Sequence, residues 1–298
     1  MSERTLFIEL FQPFAQYRNP FTFYYAQTFP LPPKSTIIGM LQNAVGDWYG
    51  TEFKNNWKLK ISVHGGFESV FWNYQQLIKG ELTFTEDGVW INTNSEMKKR
   101  YGKRVYLPLY GDGITAQRTP VYQQELFNGH LYIFIRGDFS FLNKIKNSLN
   151  NLKKILYLGR SEDIVFIKNV DYLQQREEVS WEEIGEDLVL TLPTFIRRKI
   201  KENGRIKKEL PITNQKYPVY SIPVSIRFKN REGPVKHKSE ITKQTEREIE
   251  FEDVIYTGTN FEMELESTSD KHIEGIEVFE IPDKNIKEIR IIKEFGWL

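Results

Sequence analysis

The sequence predicts an α+β fold: a ferredoxin-like sheet domain followed by a smaller β-rich region. Three observations predict it. Up to Tyr172, strand-length apolar runs and two helix-spaced segments follow the order β-α-β-β-(β)-α-β, which places both helices on one face of a sheet. A polar, glycine-rich excursion from about Gly80 to Arg118 interrupts that order. Beyond Tyr172 every periodic segment has the spacing of a strand. The expected division is therefore 1–172 for the sheet domain, with an insertion at about 80–118, and 173–298 for the β-rich region.

The first strand is Thr5–Phe11, apolar at Phe7, Ile8 and Leu10. An aromatic, nearly uncharged arm from Phe14 leads to Pro32-Pro33 and then Lys34-Ser35-Thr36. Proline stiffens a helix entry, and Ser35 or Thr36 is placed to cap the first turn of a helix Thr36–Val45 that Gly46 ends. Lys58–Val63 is a second strand with Gly65-Gly66 as its turn, and Phe67–Leu77 follows as a third strand or a continuation. Inside the excursion, Leu82–Thr85, Val89–Ile91 and Arg104–Leu107 are strand-like, with turn signals at Asp87-Gly88 and Gly111-Asp112-Gly113. His130–Ile135 reads as a buried strand. Asp138 or Ser140 caps a second helix carrying Phe141, Ile145, Leu149 and Leu152, and Leu156–Lys168 is a loop running into a strand. In the second half, Val219–Phe228, Ile249–Tyr256, Phe261–Leu265 and Ile273–Ile281 read as strands.

The composition is that of a globular protein: 298 residues, 40% hydrophobic, 27% charged and a net charge of +1. No run reaches the roughly 18 apolar residues of a membrane span, so no membrane partner is expected. The first ten residues lack a signal-peptide pattern and there are no cysteines, so a cytoplasmic address is expected and disulfides and thiolate metal sites are excluded. Charge is segregated rather than biased in total. Basic residues cluster at Lys98–Arg104, Arg197–Lys208 and Arg227–Arg247, and acidic ones at Arg176–Asp187 and along the last fifty residues. Such segregation points to one face that meets an anion.

The inventory of reactive groups is thin. His64, His130, His237 and His272 show no ligand spacing with one another or with carboxylates, and Walker, dinucleotide and nucleophile-elbow motifs are absent. Neither a metal nor a cofactor is expected. His64, beside Gly65-Gly66, is the best-placed acid–base candidate, against the plain reading of a strand-terminal histidine. The Glu162-Asp163 pair would point to opposite faces of a strand. Anion binding is better supplied. Helix-start amides beside Lys34 suit a phosphate, Gly159-Arg160-Ser161 offers close backbone approach and a guanidinium fork, and the excursion adds basic residues around Tyr101.

Taken together, Pro33-Lys34-Ser35-Thr36-Ile37-Ile38-Gly39-Met40-Leu41, the preceding arm and Tyr157-Leu158-Gly159-Arg160-Ser161 resemble the Cas-five family, the CRISPR-associated RAMP proteins of type I Cascade complexes. The likeness spans about residues 1–170, and the β-rich second half resembles the type I-B branch more than the type I-C branch. It implies an RNA-binding subunit in antiviral defence that caps the 5′ handle of the CRISPR RNA without catalysis, through a ferredoxin-like palm and a β-hairpin thumb. The thumb would be the Gly80–Arg118 excursion. The implied partners are the guide RNA, the Cascade large subunit and the backbone subunit, with target DNA met only indirectly. Lys34, Ser35, Thr36, Arg160 and Ser161 match the family motifs as handle-binding residues, forming two halves of one grip. Arg100, Tyr101 and Arg104 enter by thumb position alone. One branch of the family cleaves precursor RNA, and a metal-independent endoribonuclease using His64 with Lys34 or Tyr24 is the alternative.

Overall fold

Leu6, Ile8 and Leu10 alternate along the first strand with Phe7, Glu9 and Phe11, and the two sets meet different surroundings. The computed structural model describes residues 4–22, 25–47, 58–78, 81–85, 88–92, 106–108, 118–179, 187–190, 192–202, 204–211, 217–228, 247–258, 261–264, 273–283 and 286–298. The elements are β1 (Thr5–Ala15), β2 (Tyr25–Ala26), α1 (Lys34–Val45), β3 (Lys60–Ile78), β4 (Glu81–Thr85), β5 (Gly88–Asn92), β6 (Tyr106–Pro108), β7 (Arg118–Arg136), α2 (Phe139–Asn150) and β8 (Phe166–Leu173). They continue as β9 (Gln175–Val179), β10 (Asp187–Leu190), β11 (Phe195–Arg197), β12 (Lys199–Glu202), β13 (Arg205–Glu209), β14 (Val219–Phe228), β15 (Arg247–Tyr256), β16 (Phe261–Glu264), β17 (Ile276–Glu280) and β18 (Glu288–Ile292).

The chain forms two compact units, 1–19 with 28–70 and 126–298, and 20–27 with 71–125. In the first, β7 and β8 flank β1 in antiparallel register, and β3 pairs with β7. The order β8-β1-β7-β3, with α1 after β1 and α2 after β7, is the ferredoxin-like arrangement the sequence predicts. Leu6, Ile8, Leu10, Leu131, Ile133 and Ile135 join Ile37, Ile38 and Leu41 of α1 and Leu142 and Ile145 of α2 in one core. On the reverse face Phe7, Tyr132 and Phe134 are buried with Phe279, Ile281, Ile289, Ile291 and Trp297, which belong to or flank β17 and β18. Burial on both faces explains why β1 and β7 read as nearly continuous apolar runs.

Residues 173–298 hold further small sheets within this unit: β18-β17-β9, β11-β15-β14, β10-β16 and β12-β13. Pro223 sits where the β14–β15 register shifts, a position that tolerates a missing N–H. Phe195, Ile222, Val224 and Val254 from this region complete the α1 side of the core.

In the second unit, β2 runs parallel to the first part of β7, with Tyr25 opposite Tyr122. Strands β4, β5 and β6 form an antiparallel sheet in chain order, with Thr85 opposite Gly88. Tyr25 stacks on Tyr122 at 5.9 Å, with Trp72 and Tyr74 against the pair, and all four are at least partly open to solvent.

Two local expectations are corrected. Gly65-Gly66 lie inside β3, which runs unbroken to Ile78; Gly65 marks a close approach to the β7 backbone rather than a turn. Helix α1 begins at Lys34, its N-cap is Pro33, and no side chain caps it, so Ser35 and Thr36 lie within the first turn. Asp138 caps α2 as expected, accepting from the Phe141 N–H at 3.1 Å.

Candidate nucleic-acid interface

The Pro-Pro entry sets where Lys34 points. Pro33 supplies the carbonyl that Thr36 and Ile37 bond to, so the N–H groups of Lys34 and Ser35 precede the first helical hydrogen bond. Lys34 is only 7% exposed and lines a cavity of about 260 Å³ with Lys58, Lys60, Arg197, Ser225, Glu250 and Glu252. Among the described residues its ammonium makes no hydrogen bond or ion pair. Arg197 Nε and Glu252 Oε2 approach to 2.7 Å, but their alignment falls short of a hydrogen bond, and each atom is otherwise buried without a hydrogen-bond partner. Burial first, and the Arg197 charge second, push the Lys34 ammonium down to about 8, while Glu252 and Glu250 pull it upward.

That shift has a definite sign. The unfolded chain keeps the lysine proton to its ordinary 10.5, so between about 8 and 10.5 it binds more protons than the folded chain. Folding stability therefore rises with pH through that window, and below it a penalty of about 3 kcal/mol is fully present. Lys34→Met is expected to flatten this rise and to stabilise the protein at neutral pH, as read by chemical denaturation at stepped pH.

The second motif segment is closed on itself. Asp163 is fully buried, and its carboxylate accepts from the Arg160 N–H at 2.8 Å, Arg160 Nη2 at 2.8 Å and the Gln16 N–H at 3.0 Å. Gln12 donates to the Leu158 carbonyl at 2.7 Å and accepts from the Tyr17 hydroxyl. Gly159 has a φ of +115°, and a Cβ there would stand 2.7 Å from the Asp163 carboxylate. Arg160 thus locks the turn to the end of β1, and its fork is engaged by Asp163, with Glu162 at 3.3 Å. Ser161 is exposed and bonds Glu162. Glu162 and Asp163 share one arginine in a turn, which corrects their reading as opposite-facing strand residues. Lys34 and Arg160 therefore have different neighbours: β11, β14 and β15 for the first, the end of β1 for the second.

Arg100, Tyr101 and Arg104 lie outside the described residues, as do His237, His272 and Tyr24. His64 is 2% exposed, 2.9 Å from the Ser62 hydroxyl and edge-on to Phe134. Burial pushes it down to about 3, so it stays neutral at physiological pH and sealed from substrate; the acid–base reading of His64 does not hold. Among the described residues no group of three His, Asp or Glu side chains is placed to hold a metal ion, and no helix is long and apolar enough to cross a membrane.

The family described as "CRISPR-associated protein (Cas_Cas5)" matches residues 5–204, which include both motif segments. The chain belongs to the Cas5 family. No curated protein matches it in sequence. Among solved structures it is similar to a chain of a "CRISPR RNA-guided surveillance complex", at 14% identity over 87% of this chain and 91% of that one, with a TM-score of 0.48. It is also similar to a CRISPR protein from Archaeoglobus fulgidus, at 9% identity over 96% and 98% of the two chains, with a TM-score of 0.37.

In this Cas5-family chain the match ends before the strands that complete the Lys34 surroundings. Val224, Ser225, Glu250 and Glu252 come from β14 and β15. Sequence reasoning missed these partners because no local signal ties position 34 to positions 197, 250 and 252. Asp163 was within reach: an acid three residues after Arg160 in a polar turn suits a short ion pair.

Proposed function

We propose that this Cas5-family chain is a Cascade subunit that binds and caps the 5′ handle of the CRISPR RNA without cleaving it. The supporting observation is Lys34, a nearly buried ammonium without a hydrogen-bond or ion-pair partner among the described residues, beside the unpaired amides of a helix start. Together they form an environment that an incoming phosphate would complete. In this reading residues 1–172 are the palm, the insertion at about 80–118 is the thumb, and 173–298 buttress the palm. Lys34, Ser35 and Thr36 receive the handle at the start of α1, and Arg160 and Ser161 receive it at the turn after α2; Arg100, Tyr101 and Arg104 extend the grip from the thumb. The large and backbone subunits are the protein partners, target DNA is reached only through the guide, and the address is cytoplasmic.

A phosphate on Lys34 draws its proton affinity back up, so handle affinity is expected to fall as pH rises above about 8. Lys34→Ala is expected to weaken repeat-RNA binding about tenfold at low salt, with a shallower salt slope, because one phosphate contact is lost. Arg160→Ala is expected to weaken it through the turn, with a fall in melting temperature that Lys34→Ala does not show. Fluorescence anisotropy across salt and pH measures all of these, and unchanged affinity in both variants would sink the reading. Incubation with repeat RNA in EDTA tests the endoribonuclease alternative; cleavage products would favour it.

A further inference from the structure

Among the described residues, the reverse face of the ferredoxin-like sheet is covered at one end only. At one end Phe7, Tyr132 and Phe134 lie under Phe279 and Trp297. At the other end, register brings three rings into one row across β7, β1 and β8. Phe11 is opposite His130 on one side and Phe166 on the other, with ring centroids 5.2 and 6.2 Å away. His130 is exposed, Phe166 is 52% exposed, and Phe11 between them is half-buried. The register shift at Glu9/Leu10 leaves Lys168 as the extra residue of β8, and its ammonium stands 5.5 Å from the Phe11 ring centre. Toward the covered end the row is bordered by Glu9 and by Asp283, which accepts from the Tyr132 hydroxyl at 2.8 Å.

We propose that Phe11, His130 and Phe166 form a stacking platform for unpaired bases of single-stranded RNA, with Lys168 on the phosphate backbone. The proposal takes from the preceding section only that the partner is RNA; none of its residues is among the handle-binding set. Four-stranded sheets of this order hold single-stranded RNA by stacking bases on aromatic rings of their central strands. Here the row crosses both central strands, β1 and β7. Three rings match the size of one or two bases, whereas a stable protein contact needs about 800 Å² on each partner. Lys168 lies on the same side of the row as Glu9 and offsets its charge, so the ammonium above the Phe11 ring is the phosphate contact this face offers.

The test uses a fluorescently labelled oligouridylate and the intact protein. Phe166→Leu keeps an apolar side chain on an exposed strand position but removes the ring. It is expected to weaken binding about fivefold to a hundredfold, with Phe166→Tyr restoring it and melting temperature unchanged in both. Photocross-linking of the same probe carrying 5-iodouracil, read by mass spectrometry, is expected to mark peptides that contain Phe11, His130 or Phe166. Wild-type affinity in Phe166→Leu, or cross-links confined to other peptides, would overturn the platform. If Phe166→Leu has no effect while Lys34→Ala weakens repeat-RNA binding, the platform alone falls. A wild-type protein that binds no RNA removes both readings.

Discussion

Glu277→Ala is expected to cost about 3–5 kcal/mol of folding stability, among the largest losses any single truncation of this chain would produce. Arg136 Nη1 donates to both carboxylate oxygens of Glu277, at 2.8 and 2.9 Å, and the Glu277 and Arg136 side chains are 6% and 8% exposed. Arg136 also donates to the Thr5 hydroxyl at 3.0 Å and lies 4.1 Å over the Trp297 ring, whose indole N–H donates to Glu277 at 2.7 Å. Removing the carboxylate strands a buried guanidinium and a buried indole N–H together, and neither can reach water without opening the sheet packing. Arg136→Met with Glu277→Leu is expected to recover the part of the loss that comes from the stranded guanidinium, while the Trp297 N–H stays without its acceptor. Guanidinium denaturation with a constant slope would measure both variants. The exposed bridges from Lys208 to Glu274 and Glu294 are expected to contribute less than about 1 kcal/mol each.

Gly65→Ala is expected to be at least as damaging, at about 4 kcal/mol or more, and to lower soluble yield. Its φ of +111° disfavours any L side chain, and an added Cβ would stand 2.1 Å from the His130 carbonyl oxygen of the neighbouring strand. The atom in the way is backbone, so relief requires β3 to leave β7. Gly39→Ala is the control: it sits inside α1 with nothing within 4 Å of a Cβ, and it is expected to gain up to about 1 kcal/mol from helix propensity. Thermal melting of the two variants side by side separates glycine removal in general from this close approach in particular.

These two glycines show where the sequence was legible. Helix α1 and its apolar face could be read from spacing, as could β1, the His130–Ile135 part of β7, β14, β15 and the order that makes the sheet ferredoxin-like. Gly65-Gly66 misled because the same dipeptide serves a hairpin turn or a close approach between strands, and only the partner strand decides between them. The motif residues Lys34 and Arg160 were legible as types, but their roles depend on neighbours. Arg160 has its carboxylate three residues away, whereas Lys34 meets groups more than 160 positions along the chain. His64 looked available because sequence carries no measure of burial. The row of Phe11, His130 and Phe166 is a matter of register, and register across β1, β7 and β8 is set by the whole sheet.

The packing of Phe7, Tyr132 and Phe134 under Trp297 and β17–β18 has a consequence for synthesis on the ribosome. The Arg136–Glu277 contact joins positions 141 residues apart, so the ferredoxin-like sheet, complete at Leu173, can form while the strands that cover its reverse face are still untranslated. During that interval a patch of large aromatic rings faces solvent, and a nascent chain in this state is exposed to aggregation until residue 297 emerges. Slower translation of residues 174–297 lengthens that interval, and holdase chaperones that bind apolar surface lower its cost.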